Sequence, residues 1–244
     1  MEWFSQNGFE VRLEWGLSAV EYLASEADCA VIVDVMSFST CVSLAVDNGA
    51  RIYPYPWKDQ SALEYGMRIG ANTASFDRRF SGTGYSLSPA SIRSIRAGES
   101  LVLPSPNGSA ISFRARDSGI SVFSGCFRNM TATAKACREF KRILVIPCGE
   151  RWPDNSLRPS IEDYAAAGGI IAALDRYNIS PEAHAAVAAY QYHKQHSLSL
   201  LHQCSSAMEL RQRGFEEDIT LCLDAEVSEM ECLLHGDFYG SGQG

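Results

Sequence analysis

The sequence predicts an α/β fold: a three-layer α/β/α sandwich around a largely parallel or mixed sheet. Short apolar runs rich in β-branched residues alternate with helix-like stretches, the pattern of repeated βα units. Each run ends in polar or turn-forming residues, as strands that deliver a site at their carboxyl ends do. The 244 residues, 46% hydrophobic and 20% charged, can bury a sizeable core.

Taken in order, CAVIVDV at 29–35 is the first clear strand, followed by a helix from Ser39 to Asn48 that stops at Gly49 and a strand at 52–55. A helix is expected over 59–69. Residues 71–90 carry turn formers and no sustained period, so they read as a long loop and a candidate functional segment. The alternation resumes with strands at 100–103, 120–123 and 142–146 and helices at 108–116 and 129–140. The loop PCGERWPDNSLRPS then leads to a helix near Ile161, and the chain looks almost wholly helical to Gly214. EEDITLCLD continues as helix, and GDFYGSGQG reads as frayed. A single domain over 1–244 follows, with a small lobe conceivable only within 50–95.

Twenty-one basic against 29 acidic residues give a formal charge of −8, which repels nucleic acid and anionic membrane in the absence of a basic cluster. Tyr164 to Leu174, the longest uncharged small or apolar stretch, is too short to span a bilayer. The N-terminus lacks the basic start and apolar run of a signal peptide, so a cytoplasmic location is expected. Eight scattered cysteines with no CxxC pair read as reduced, buried thiols. Four lysines against seventeen arginines favour planar grips on oxyanions.

The strand ends carry the candidate chemistry. Asp34 is followed by Ser37, Ser39 and Thr40 at a helix start, which suits an anion, while the carboxylate can hold a metal or attack phosphorus. A plain helix cap is the alternative. Ser105, Asn107, Gly108 and Ser109 form a turn able to open a nest of N–H groups, or simply another cap. Gly125, Arg128 and Asn129 add a third polar end. Arg151 and Arg158 are further anion contacts. Ser160 with Asp163 has capping-box spacing, and Glu162 beside Asp163 lies about 100° around the helix from it. There is no Gly-Lys dipeptide, GxSxG elbow, CxxxxxR loop or DxD pair, so the chemistries those motifs carry are excluded. His193 and His196 at i, i+3 read as a solvated helix face rather than a zinc site. Trp15, Tyr53, Tyr55 and Trp57 read as packing residues.

Together VIVDVMSFST (31–40), LSPAS (87–91), LPSPNGS (103–109), SGCFRN (124–129), CGERW (148–152), SLRPSIEDYAAAG (156–168) and GFEEDITLCLD (214–224) resemble the 2-phosphosulfolactate phosphatase family. The resemblance implies a magnesium-dependent acid phosphatase linked to coenzyme M biosynthesis, acting on a small anionic phosphorylated substrate. Carried over by position, it implies Asp34, Asn107 and Asp163 as catalytic groups and Asp34, Glu162 and Asp163 as magnesium ligands. Gly108 and Ser109 match the family's SPNG turn, and Gly125 with Asn129 its glycine-to-asparagine turn. Asp218 and Asp224 fall in the C-terminal match. The family's first motif commonly reads DVLRAST, and here Ser37 replaces its arginine and Phe38 its alanine. A non-catalytic anion-binding protein on the same fold is the alternative. A homodimer is compatible with the sequence, which does not fix oligomeric state.

Overall fold

All five residues of the strand Cys29–Val33 are buried, which the period of two along a strand allows only when both faces of its sheet are covered. A computed structural model describes residues 2–79 and 84–242. Its strands are β1 (Val11–Leu13), β2 (Cys29–Val33), β3 (Arg51–Tyr55), β4 (Asn72–Thr73), β5 (Ser100–Pro104), β6 (Ser121–Gly125), β7 (Ile143–Pro147), β8 (Glu150–Arg151), β9 (Leu157–Arg158), β10 (Cys232–His235) and β11 (Phe238–Gly240). The helices are α1 (Gly16–Leu23), α2 (Phe38–Asp47), α3 (Gln60–Ile69), α4 (Pro89–Ile92), α5 (Gly108–Arg116), α6 (Met130–Cys137), α7 (Ile161–Leu174), α8 (Pro181–Gln195), α9 (Ser205–Gln212) and α10 (Glu216–Leu223).

Nine strands form one mixed sheet in the order β1-β7-β2-β6-β10-β11-β3-β5-β4. The group β1, β7, β2, β6 is parallel, as is the group β3, β5, β4. The antiparallel pair β10–β11 lies between them, and its link to β3 is the single residue pair Tyr239↔Ile52. Val31 and Val33 pack into one apolar cluster with Val145, Ile170 and Ala183. Ala30 and Ile32 face the other, with Ile146, Val42 and Ile111. The sheet is therefore the middle of the expected three layers.

Helix α7 lies against α8 so closely that a Cβ on Gly168 would run into the Ala186 carbonyl and stand 2.9 Å from the Val187 nitrogen. Glycine is what permits this backbone-to-backbone approach. Local sequence sets several ends: Asp59 accepts from the Ser61 N–H ahead of α3, and Ser180 accepts from Ala183 ahead of Pro181 in α8.

The structure departs from the sequence expectations at both ends. Residues 11–23 form β1 and α1. The stretch read as frayed instead contributes β11, with residues 243–244 outside the described residues. Within the expected loop 71–90 lie β4 and the start of α4, and residues 80–83 fall outside the described residues. Strands β3 and β4, from the stretch considered as a lobe, belong to the main sheet. All eight cysteines are buried and free. Among the described residues no helix is long and apolar enough to cross a membrane.

Candidate active site

Asp34 leaves β2 with its N–H bonded to Ser39 Oγ (3.0 Å), and Ser39 donates in turn to the Ile32 carbonyl (3.1 Å). Thr40 Oγ1 donates to the Val35 carbonyl (2.8 Å), so both hydroxyls pin α2 to the strand. The Asp34 carboxylate accepts from two backbone N–H groups, Phe38 (3.3 Å) and Gly108 (2.9 Å). The second contact joins the starts of α2 and α5 and requires glycine, because a Cβ on Gly108 would sit 2.6 Å from Phe38 Cγ and 2.7 Å from Asp34 Oδ2. Burial raises the Asp34 pKa to about 7, Glu150 adds to the rise, and the two N–H donors oppose it.

A cleft of about 210 Å³ opens over this carboxylate. Carboxyl ends from both parallel groups reach it: Asp34 and Ser37 after β2, Lys58 after β3, Ser105 and Asn107 after β5, and Glu150 after β7. Loop residue Arg78 and one face of the α9 segment, Ser206, Glu209 and Arg213, complete its wall. Charges are unevenly distributed around it. Burial raises the Glu150 pKa, with a hydrogen bond from Asn107 opposing and Glu209 reinforcing the shift. Opposite in sign stand Lys58, Arg78 and Arg213. Lys58 is exposed as a whole, yet desolvation around its ammonium lowers its pKa, and Arg78 adds to the effect while Asp34 and Glu150 oppose it.

The sequence candidates separate into two groups. Asp34, Ser37, Ser105 and Asn107 line the cleft, and Gly108 holds Asp34 from behind. The remainder are built into the frame. Ser109 Oγ donates to the Leu103 carbonyl (2.6 Å). Gly125 is packed under Ile170 and Val31. Asn129 bonds the Cys126 N–H and the Ser124 and Met230 carbonyls. Arg128, read as an anion contact, pairs with Asp47 (3.0 Å) and reaches Ser43, so a carboxylate already takes its fork. Arg151 bonds the Asn155 carbonyl and Arg158 stacks on Trp152, both on the β8–β9 hairpin rather than on the cleft wall.

Asp163 has no capping role: one oxygen accepts from Val35 N–H (2.8 Å) and the other from Gly149 N–H (2.9 Å), tying two strand-end turns together. Its carboxyl is pushed well up by burial, then by Glu162 and Asp34. Ser160 Oγ caps nothing and has no partner. Glu162 is buried next to Cys204, whose thiol hydrogen-bonds it. The expected ligand trio Asp34, Glu162 and Asp163 therefore does not converge on the cleft, which only Asp34 lines. Cys126 and Cys148 are buried with raised pKa values, the opposite of an activated thiolate.

Five residues escaped sequence reasoning: Lys58, Arg78, Ser206, Glu209 and Arg213. Glu150 falls in the CGERW match without a role assigned to it. Arg78 donates to Ser37 Oγ (3.2 Å) and pairs with Asp218 (2.9 Å), which also accepts from Ser88 Oγ (2.6 Å) and Ala90 N–H (3.0 Å). That gives Asp218 and the LSPAS segment one task, holding a guanidinium at the cleft. The i, i+3, i+7 spacing of Ser206, Glu209 and Arg213 was the one available signal for α9.

Asp34, Glu150 and the Asn107 amide are oxygen donors of the kind magnesium takes, since it binds through one or two carboxylates and fills its remaining positions with water and phosphate oxygens. The raised carboxyl pKa values mark negative charge that a divalent cation relieves. Among the described residues no cluster of three His, Cys, Asp or Glu side chains is arranged for a metal. The donor set fits a cation held in part by its ligand, and does not fit a closed structural site.

A family model described as 2-phosphosulpholactate phosphatase matches residues 19–235. A 2-phosphosulfolactate phosphatase of Methanothermobacter thermautotrophicus is 29% identical over 81% of this chain and 83% of its own. A protein of the same name from Methanocaldococcus jannaschii is 26% identical over 80% and 83%. One named "Probable 2-phosphosulfolactate phosphatase" from Thermotoga maritima is 26% identical over 87% and 92%.

Proposed function

The chain belongs to the 2-phosphosulpholactate phosphatase family, and from that premise we propose that it is a phosphoric monoester hydrolase converting 2-phosphosulfolactate, or a close phosphorylated acid, to the hydroxy acid and phosphate with magnesium. The observation that carries this reading is the mixed charge of the cleft, whose wall brings Asp34, Glu150 and Glu209 together with Lys58, Arg78 and Arg213. A phosphate monoester brings about two negative charges, which these cations help to neutralise. Magnesium, held by Asp34, Glu150 and Asn107, would supply Lewis-acid polarisation of a phosphoryl oxygen.

The protein's own groups do the rest. Burial raises the Asp34 pKa to about 7 in the absence of a cation, so a bound cation favours its ionised form, which can then hold and orient the attacking water. Gly108 and Phe38 hold that carboxylate in place through their N–H groups. The Lys58 ammonium stands free to meet leaving-group or phosphoryl oxygen, having no ion pair or hydrogen bond among the described residues. The non-catalytic alternative drew on the lack of an arginine at position 37. Arg78 brings a guanidinium onto the Ser37 hydroxyl, so a cation stands there after all.

The experiment is release of inorganic phosphate from a panel of phosphorylated hydroxy acids, with magnesium and after chelation. Turnover by wild type that fails in Asp34→Asn supports the assignment. No turnover by wild type, or full turnover by Asp34→Asn, overturns it.

A further inference from the structure

Helix α3 turns one stripe inward: Ala62 and Ile69 pack with Val102, Thr73 Oγ1 donates to the Ala62 carbonyl (3.3 Å), and Gly66 lets β4 come close. The opposite stripe of such a helix should be polar. Here Met67 is 71% exposed and Leu63, one turn earlier, is 38% exposed. Leu63 joins Phe76, also 38% exposed, and Ala74 and Tyr85 in lining a groove of about 260 Å³. This face stands at an end of the sheet. At the other end β1 is covered, because Ile179 bridges Val11 and Ser180 N–H donates to the Val11 carbonyl (2.9 Å). Among the described residues no strand follows β4. The charges beside the apolar stripe are equally free. Glu64 precedes Arg68 by four residues, the order that favours an ion pair within one helix. Yet the Arg68 guanidinium lies over the Tyr65 ring (5.2 Å), and neither charge has an ion partner among the described residues.

We propose that the chain forms a homodimer through α3 and the β4 end of the sheet, with Met67 of each copy seated in the partner's groove beside Leu63. A two-fold axis across α3 sets the helix antiparallel to its own copy, and residues that face each other across the axis share a midpoint. Leu63 and Met67 centre on residue 65, and Glu64 and Arg68 on residue 66. One register therefore brings each Met67 to the partner's Leu63 and each Arg68 to the partner's Glu64. A knob, a groove and two opposite charges on one patch give the self-complementarity that an isologous interface requires. A partner of a single charge would satisfy only one of the two. None of these residues lines the cleft, so the inference stands apart from the phosphatase reading.

The test is sedimentation equilibrium of the full chain from about 1 to 100 μM, a range that spans stable and transient association. Wild type is expected to reach twice the chain mass within it. Met67→Asp should weaken the dimer at least about 30-fold, as loss of an interface anchor does. Glu64→Lys and Arg68→Glu should each weaken it about tenfold, because like charges then face each other twice. Mixed in equal amounts, those two variants should dimerise again, since each then meets its opposite across the axis. A wild type that stays monomeric leaves the face to another protein and overturns the proposal. A dimer that resists Met67→Asp, or charge variants that stay apart when mixed, overturns it as well. If Met67→Asp does not fold, the mixing experiment decides, because positions 64 and 68 are exposed.

Discussion

Replacing Asp34 by asparagine should stabilise the protein at alkaline pH while removing activity. Folding raises the carboxyl pKa from its ordinary 3.8 to about 7, a shift worth about 4 kcal/mol. Between those two values the folded protein holds a proton that the unfolded chain has released. Stability therefore falls as pH climbs from about 4 through about 7, and is level above that. Asparagine removes the whole penalty. Against this, its amide offers one acceptor oxygen in place of two, so Phe38 N–H or Gly108 N–H loses its partner, and leaving one buried donor unmet costs about 1–3 kcal/mol. The net gain at pH 9 is about 2 kcal/mol, roughly 4–8 °C in Tm for a chain of this size. At pH 5 the folded protein keeps the Asp34 proton while the unfolded chain has mostly lost it, so about 1.6 kcal/mol of the penalty persists and roughly cancels the cost of the unmet donor. Thermal melts with chelator should show the Tm advantage of the variant at pH 9 shrink to near zero at pH 5. Phosphate release should fall at least about 100-fold in the same variant. A variant destabilised equally at both pH values would refute the electrostatic argument, and one that hydrolyses like wild type would refute the catalytic one.

Gly168→Ala should be the more damaging of two neighbouring substitutions, because its methyl meets the Ala186 carbonyl, whereas Gly169→Ala meets the movable Met130 thioether and Tyr190. About 3 kcal/mol is expected for the first and about 1 for the second by denaturant titration, and the reverse order would contradict the packing. Cys148→Ala should retain phosphate release within about threefold, since burial holds the thiol protonated; a 100-fold loss would point to a cysteine nucleophile instead. His193→Ala and His196→Ala should leave activity unchanged, because neither lines the cleft. Abolished turnover in either would favour histidine-dependent metal chemistry instead.

Legibility in the sequence followed the range of the forces involved. Helix α5 was legible to the residue, because its turn residues and apolar positions are local. Asp34 was legible too, since a carboxylate ending a five-residue apolar strand is unusual within a short window. The capping-box reading of Ser160 and Asp163 failed because that spacing is local, while the partners of Asp163, Val35 and Gly149, are supplied by other loops. Arg78 was visible only as one residue of the loop 71–90, because Asp218, its ion partner, lies 140 positions away. The C-terminal hairpin did leave one. Gly236 and Asp237 stand between CLLH and FYG as a two-residue connection, with Gly236 at φ 61°, a recognised hairpin signal that short, half-buried strands made easy to overlook.

That hairpin also orders events at the ribosome. The two parallel groups of strands touch through β10 and β11, so β6 and β3 stay as open edges until about residue 240 has emerged. A nascent chain paused before that point holds most of its helices yet displays two unsatisfied backbone ladders, the kind of surface that chaperones cover and that otherwise recruits neighbouring chains.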